Sequence, residues 1–123
     1  MIEILPYRDK KQIEPLFIEN KIEYNEDCIA IKATDKDTLI GYALFSISKD
    51  KLSLFYLETF NDFYLVDGIV RSALHVGVEN GVTEAYCENQ DLFNVLKDIN
   101  FIKNEKTKEI NIDKLFESCC GCK

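Results

Sequence analysis

Residues 52–74 read "LSLFYLETFNDFYLVDGIVRSAL", and the change of period inside this stretch decides the fold. Leu52–Glu58 is an apolar run entered from the turn "SKDK" at 48–51, which predicts a strand. Beyond residue 60 the spacing becomes helical. Leu65, Ile69, Val70, Ala73, Val76 and Gly77 share one face, and Asn80-Gly81 supplies a stop, so a helix is predicted over Leu65–Asn80. A strand that passes directly into a helix is a natural anion site, because the first helical N–H groups point at whatever sits at the joint. This joint has no glycine before Gly68 and carries Asp62 and Asp67.

Working outward, the N-terminal half reads as strands around one helix. "MIEILPY" alternates up to Pro6, and Asp9 caps a helix predicted over about residues 9–20 from Ile13, Leu16 and Phe17, with Pro15 expected to kink or divide it. "CIAIKAT" (28–34) alternates and reads as a strand, "DKDTLIG" supplies a turn, and Leu39–Ser48 is a second strand with Gly41 as a bulge or close-approach site. With Leu52–Glu58 these form an antiparallel meander. After the long helix, "VTEAYCE" (82–88) is a short strand, and Asp91–Ile99 is a helix that buries Leu92, Val95, Leu96 and Ile99. Residues 101–112 make one or two strands around "NEKTK". The order β-α-β-β-β-α-β-α-β describes an α/β (α+β) domain: a mixed, mostly antiparallel sheet with helices packed on it.

The chain's 123 residues suffice for one core. We expect a single domain over 1–116 and a cysteine-rich tail over 117–123. A net charge of −7 argues against nucleic acid and anionic membranes as partners, since both require a basic surface. Neither a signal peptide nor an apolar stretch near 18 residues is present, so the expected location is cytoplasmic. The expected assembly is a monomer or homodimer.

The segment "NQDLFNVLKDINF" (89–101) resembles the Asn-x-x-Ala-x-x-x-Tyr-x-x-x-Gly-Phe segment of the GCN5-related N-acetyltransferase (GNAT) family. Asn89 and Phe101 match it, while Leu92, Leu96 and Asn100 replace its alanine, tyrosine and glycine. The helix "DGIVRSALHVGVENGV" (67–82) resembles the one that follows that family's cofactor loop. The resemblance implies acetyl-CoA or CoA as cofactor and an unidentified small-molecule or peptide amine as acceptor. It places the cofactor against Tyr56, Leu57, Tyr64, Leu65, Val66, Asp67, Gly68 and Asn89. The family loop reads Arg/Gln-x-x-Gly-x-Gly/Ala. One register puts Asn61, Tyr64 and Val66 on its three fixed positions, and the other puts Leu65, Gly68 and Val70 there, so neither restores the motif. Weak binding is therefore expected, with Asp62 and Asp67 opposing the phosphates.

In that family a tyrosine often protonates the departing thiolate. Its position here is Leu96, which holds no proton. Glu58 is the candidate base toward an amine, Tyr56 and Tyr64 are alternative phenols, and the thioester carbonyl is expected near the backbone N–H groups of Tyr56 and Leu57. The single histidine, His75, reads as packed or solvated, and Cys28 and Cys87 as small buried hydrophobes. In "CCGCK", Cys119, Cys120 and Cys122 are three soft metal ligands that need a fourth, such as Cys28, Cys87, Glu117 or a group from a second chain; the competing reading is an oxidisable tail without zinc. Two functions fit: an N-acetyltransferase that moves an acetyl group from acetyl-CoA to an amine, or a non-catalytic interaction or sensor module of the same fold.

Overall fold

The computed structural model describes residues 2–60 and 62–113. Strand β1 (Ile2–Tyr7) leads to helix α1 (Lys10–Glu19), and the meander follows as β2 (Cys28–Asp35), β3 (Thr38–Ser48) and β4 (Lys51–Glu58). Helix α2 (Phe63–Glu79) crosses to β5 (Glu84–Cys87), and α3 (Gln90–Asp98), β6 (Ile102–Asn104) and β7 (Glu109–Ile110) complete the order. The seven strands form one sheet, β1-β2-β3-β4-β5-β7-β6. All neighbours are antiparallel except β4 and β5. That pair is parallel because α2 carries the chain back to the starting edge, as a crossover helix must.

The sheet divides the interior into two cores. On one face Ile29, Ile31, Phe45, Leu52 and Leu54 pack against α2 and α3. On the other, Ala30, Tyr42 and Leu44 pack against Ile13 and Phe17 of α1. The alternation expected over 28–34 is not what the structure shows: Cys28–Ile31 and Gly41–Phe45 are buried without a break, because the sheet is covered on both faces. Helix α1 passes through Pro15 undivided, with Ile13 and Phe17 fully buried on either side of it; their packing outweighs the hydrogen bond that proline removes.

Gly41 lets α2 approach the sheet. A Cβ there would lie 2.9 Å from Ile69 Cδ1 and 3.0 Å from the Glu58 carbonyl oxygen. The β2/β3 register shifts beside it, between Ala33 and Thr34. Gly81 stops α2 with φ +82°, in the left-handed region that glycine adopts without steric cost. The chain beyond 113, including the predicted tail and its cysteines, lies outside the described residues.

Candidate functional site

Two irregularities in β4 create the site. The first is a bulge. Leu44 pairs with Tyr56 and Phe45 with Leu54, so Phe55 is an extra residue without a partner on β3. Leu52 and Leu54 face α2, while Phe55 and Tyr56 both turn toward the α1 core and Leu57 returns to the α2 side. One added residue thereby reverses the alternation, as bulges beside functional sites do. The second is a split. β5 pairs with β4 only over Lys51–Leu54, so Phe55–Glu58 continues past the end of its neighbour. Asn89 holds the point of divergence: its Oδ1 accepts the Asp91 and Leu92 N–H groups (2.8 and 3.2 Å) as the α3 cap, and its Nδ2 donates to the Phe55 carbonyl (3.5 Å).

A hydrogen-bonded pair occupies the end of β4. The Tyr56 hydroxyl donates to Glu58 Oε1 (3.1 Å), and the Phe60 N–H donates to Oε2 (2.8 Å). Burial, helped by the Glu58 carboxylate, pushes the Tyr56 phenol up to about 12, so the proton stays on the ring. Tyr42 lies beside it, ring centroids 6.0 Å apart, and its hydroxyl accepts from Asn20 Nδ2 (3.0 Å) at the end of α1. Burial raises the Tyr42 phenol too, against the lowering effect of the Asn20 bond.

A cleft of about 330 Å³ opens between the end of β4, the start of α2 and α3. Leu57, Phe63, Val66 and Val95 give it apolar walls, and its charged lining residues are Glu58 and Asp98. The joint to α2 is closed by its own side chain: Asp62 caps the helix, with Oδ1 accepting the Tyr64 N–H (3.1 Å). Helix α2 therefore begins at Phe63, two residues before the predicted start, because Asp62 supplies the N-cap.

The residues expected to meet a cofactor fall into distinct places. Leu57 and Val66 line the cleft, and Asn89 stands at the split. Tyr64 projects from the first turn of α2 almost fully exposed, whereas Leu65 is buried in the α2 core. Gly68 is in the body of α2, where a Cβ would come 3.2 Å from Ile4 Cδ1, so its small size serves packing against β1. Asp67 is held by Arg71 (2.8 Å), so a cation offsets the charge that the sequence set against phosphates. Asn61 lies outside the described residues. Leu96 is fully buried, and His75 is exposed. Cys28 and Cys87 are buried, and burial raises both thiols. Among the described residues no group of three His, Cys, Asp or Glu converges as a metal site, and no helix is long and apolar enough to cross a membrane. Sequence reasoning missed Asn20, Tyr42, Phe60 and Asp98, which carry no motif and gain meaning only by position.

Solved structures share this architecture. A TM-score of 0.57 relates the chain to the PaiA N-acetyltransferase from Thermoplasma acidophilum in complex with coenzyme A, with 19% identity over 82% of this chain and 66% of that one. The chain thus spans just under two thirds of that protein. The ribosomal-protein-alanine N-acetyltransferase from Brucella melitensis biovar Abortus 2308 aligns with a TM-score of 0.61, 11% identity and coverage of 80% of this chain and 90% of that one. This chain has the GNAT fold. The ribosomal-protein-S18-alanine N-acetyltransferase from Escherichia coli shares that fold with a TM-score of 0.60 at 13% identity, over 89% of this chain and 88% of that one. No protein-family model matches the sequence, and no curated protein matches it.

Proposed function

We propose that this GNAT-fold protein is an N-acetyltransferase that binds acetyl-CoA weakly and acetylates an amine at the end of β4. The observation that carries the reading is the Tyr56–Glu58 hydrogen bond, 3.1 Å, at a cleft opened by the β4/β5 split. The apolar walls Leu57, Val66 and Val95 suit a pantetheine arm. Acetyl-CoA supplies the acyl group as a thioester. Glu58 takes the proton released by the attacking amine as the N–C bond forms. Tyr56, kept protonated, gives its proton to the sulfur as the C–S bond breaks and recovers one from Glu58 through their hydrogen bond. Both side chains end as they began, and the products are an amide and a thiol.

The phosphates are less well served. Glu58 and Asp98 are the cleft's charged lining residues, and Asp62 already caps the helix that would face an anion. We therefore expect a dissociation constant in the high-micromolar range or weaker. Asp98→Lys replaces a repulsion with an attraction, each worth about 0.2–1 kcal/mol at an exposed site, and should tighten binding about three- to tenfold. Calorimetry with acetyl-CoA, together with thiol release across a panel of amines, tests both statements. No binding at millimolar acetyl-CoA would overturn the transferase reading, and low-micromolar binding by the unaltered protein would overturn the electrostatic argument.

A second reading, a non-catalytic interaction or sensor module, draws support from three exposed aromatics at the same joint: Phe60 at 56%, Phe63 at 63% and Tyr64 at 93%. Acetyl-CoA binding without thiol release for any amine would favour it.

A further inference from the structure

Tyr42 stands where three constraints meet. In the β3/β4 ladder it is the partner of Glu58, so the two side chains leave the sheet on the same face, and Tyr56 joins them there because of the bulge at Phe55. Its ring is 5% exposed and packs against both residues that hold the Glu58 carboxylate. One is Tyr56, at 6.0 Å and 37°, whose hydroxyl donates to Oε1; the other is Phe60, at 6.4 Å and 63°, whose backbone N–H donates to Oε2. The β5 pairing of β4 ends at Leu54, and Tyr56 and Glu58 beyond it are only half-buried. The buried ring of Tyr42 is thus the firm surface on which they rest.

The far end of that ring is fixed by α1. Asn20 is the C-cap, and its Nδ2 faces the Leu16 carbonyl at 2.8 Å, a group that can only accept. That requirement orients the amide, and its other N–H goes to the Tyr42 hydroxyl at 3.0 Å. Helix α1 is itself held in place, since Ile13 and Phe17 are fully buried in the core that contains Tyr42. Tyr42 is therefore fixed at its root by the ladder and at its tip by a donor whose direction is set elsewhere.

We infer that Tyr42, anchored by Asn20, is the positioning residue of the site: it keeps the Tyr56 hydroxyl and the Phe60 N–H aimed at Glu58, so that the end of α1 sets the geometry of the pair through one ring. The effect on rate rests on the transferase reading above; the coupling of Asn20 to the Tyr56–Glu58 bond does not. The cleft walls Leu57, Val66 and Val95 belong to the α2 side of the sheet, so loss of Asn20 should spare acetyl-CoA binding. A ring that only filled the α1 core would leave the Tyr56–Glu58 bond as strong as before when its tip was released.

The test is a double-mutant cycle on the full chain. Asn20→Ala frees the tip of Tyr42 and leaves all three rings in place, Tyr42→Phe breaks the same bond from its other side, and Tyr56→Phe removes the hydroxyl that is being aimed. Thermal melts read the coupling without any substrate. The fall in Tm caused by Tyr56→Phe should shrink to about half or less in the Asn20→Ala and Tyr42→Phe backgrounds. Thiol release from acetyl-CoA, with whichever amine of the panel reacts fastest, reads the rate. Asn20→Ala should lower kcat about three- to tenfold while KM for acetyl-CoA stays within about twofold, and the same substitution in the Tyr56→Phe background should change kcat by less than about twofold. Circular dichroism checks that each variant folds, and the Asn20→Ala arm leaves the buried rings unaltered. Losses that add across the cycle, in Tm or in kcat, would show that Tyr42 only fills the core and would overturn the inference. A coupled Tm without thiol release for any amine would overturn the transferase reading alone; thiol release with additive losses would overturn the positioning inference alone.

Discussion

Tyr56→Phe separates the hydrogen bond at the centre of the site from everything around it, because it removes one oxygen and leaves the ring. In the folded protein that oxygen donates to Glu58 at 3.1 Å. A bond to a charged partner contributes about 1.5–3 kcal/mol when buried, and partial exposure reduces this to about 1 kcal/mol. In a 123-residue domain such a loss lowers Tm by about 4 °C. The pH dependence provides a sharper test. Burial, then the bond and charge of Glu58, raises the phenol from 10.0 to about 12. A group raised on folding stabilises fully below its unfolded value, and that contribution is lost as pH climbs through the folded one. The gap between wild type and Tyr56→Phe should therefore be constant at pH 7–9 and close between about pH 10 and 12. The full rise would correspond to about 2.7 kcal/mol, which screening at this partly exposed position brings down to about 1. Thermal melts of the two proteins at pH 8 and pH 11 measure it, with the other tyrosines cancelling in the difference. A gap that stays the same across that range, or a variant more stable than wild type at pH 8, would refute the reasoning.

Gly41→Ala should destabilise by about 1–3 kcal/mol, because its Cβ would meet Ile69 Cδ1 at 2.9 Å and the Glu58 carbonyl, held in the β3/β4 ladder, at 3.0 Å; urea unfolding measures this, and an unchanged midpoint would mean that α2 has room to withdraw. Asn89→Ala removes the α3 cap and the link to Phe55, and should cost about 1–2 kcal/mol of stability. It should also weaken acetyl-CoA binding if Asn89 holds the split open, a result that calorimetry on the folded variant would supply or deny.

Much of the fold was legible because its signals are local. The apolar run at Leu52–Glu58, the helical spacing from Leu65 and the Asn80-Gly81 stop each depend on neighbours a few residues away, and the structure contains each of them. Asn89 was legible through its match to the GNAT segment, and the structure gives it the further place of the α3 N-cap. Glu58 was legible as a carboxylate at a strand end. The face to which it points was not. Counting by twos from Leu52 sends Tyr56 and Glu58 to the side of Leu52 and Leu54, away from α1. The unpaired Phe55 moves Tyr56 to the other side, beside Tyr42, and with it the bond to Glu58. A bulge is a mismatch in register between two strands, and it forms only when both are in place; what β4 does at residue 55 is settled by its pairing with Leu44 and Phe45 on β3, which no pattern within β4 contains.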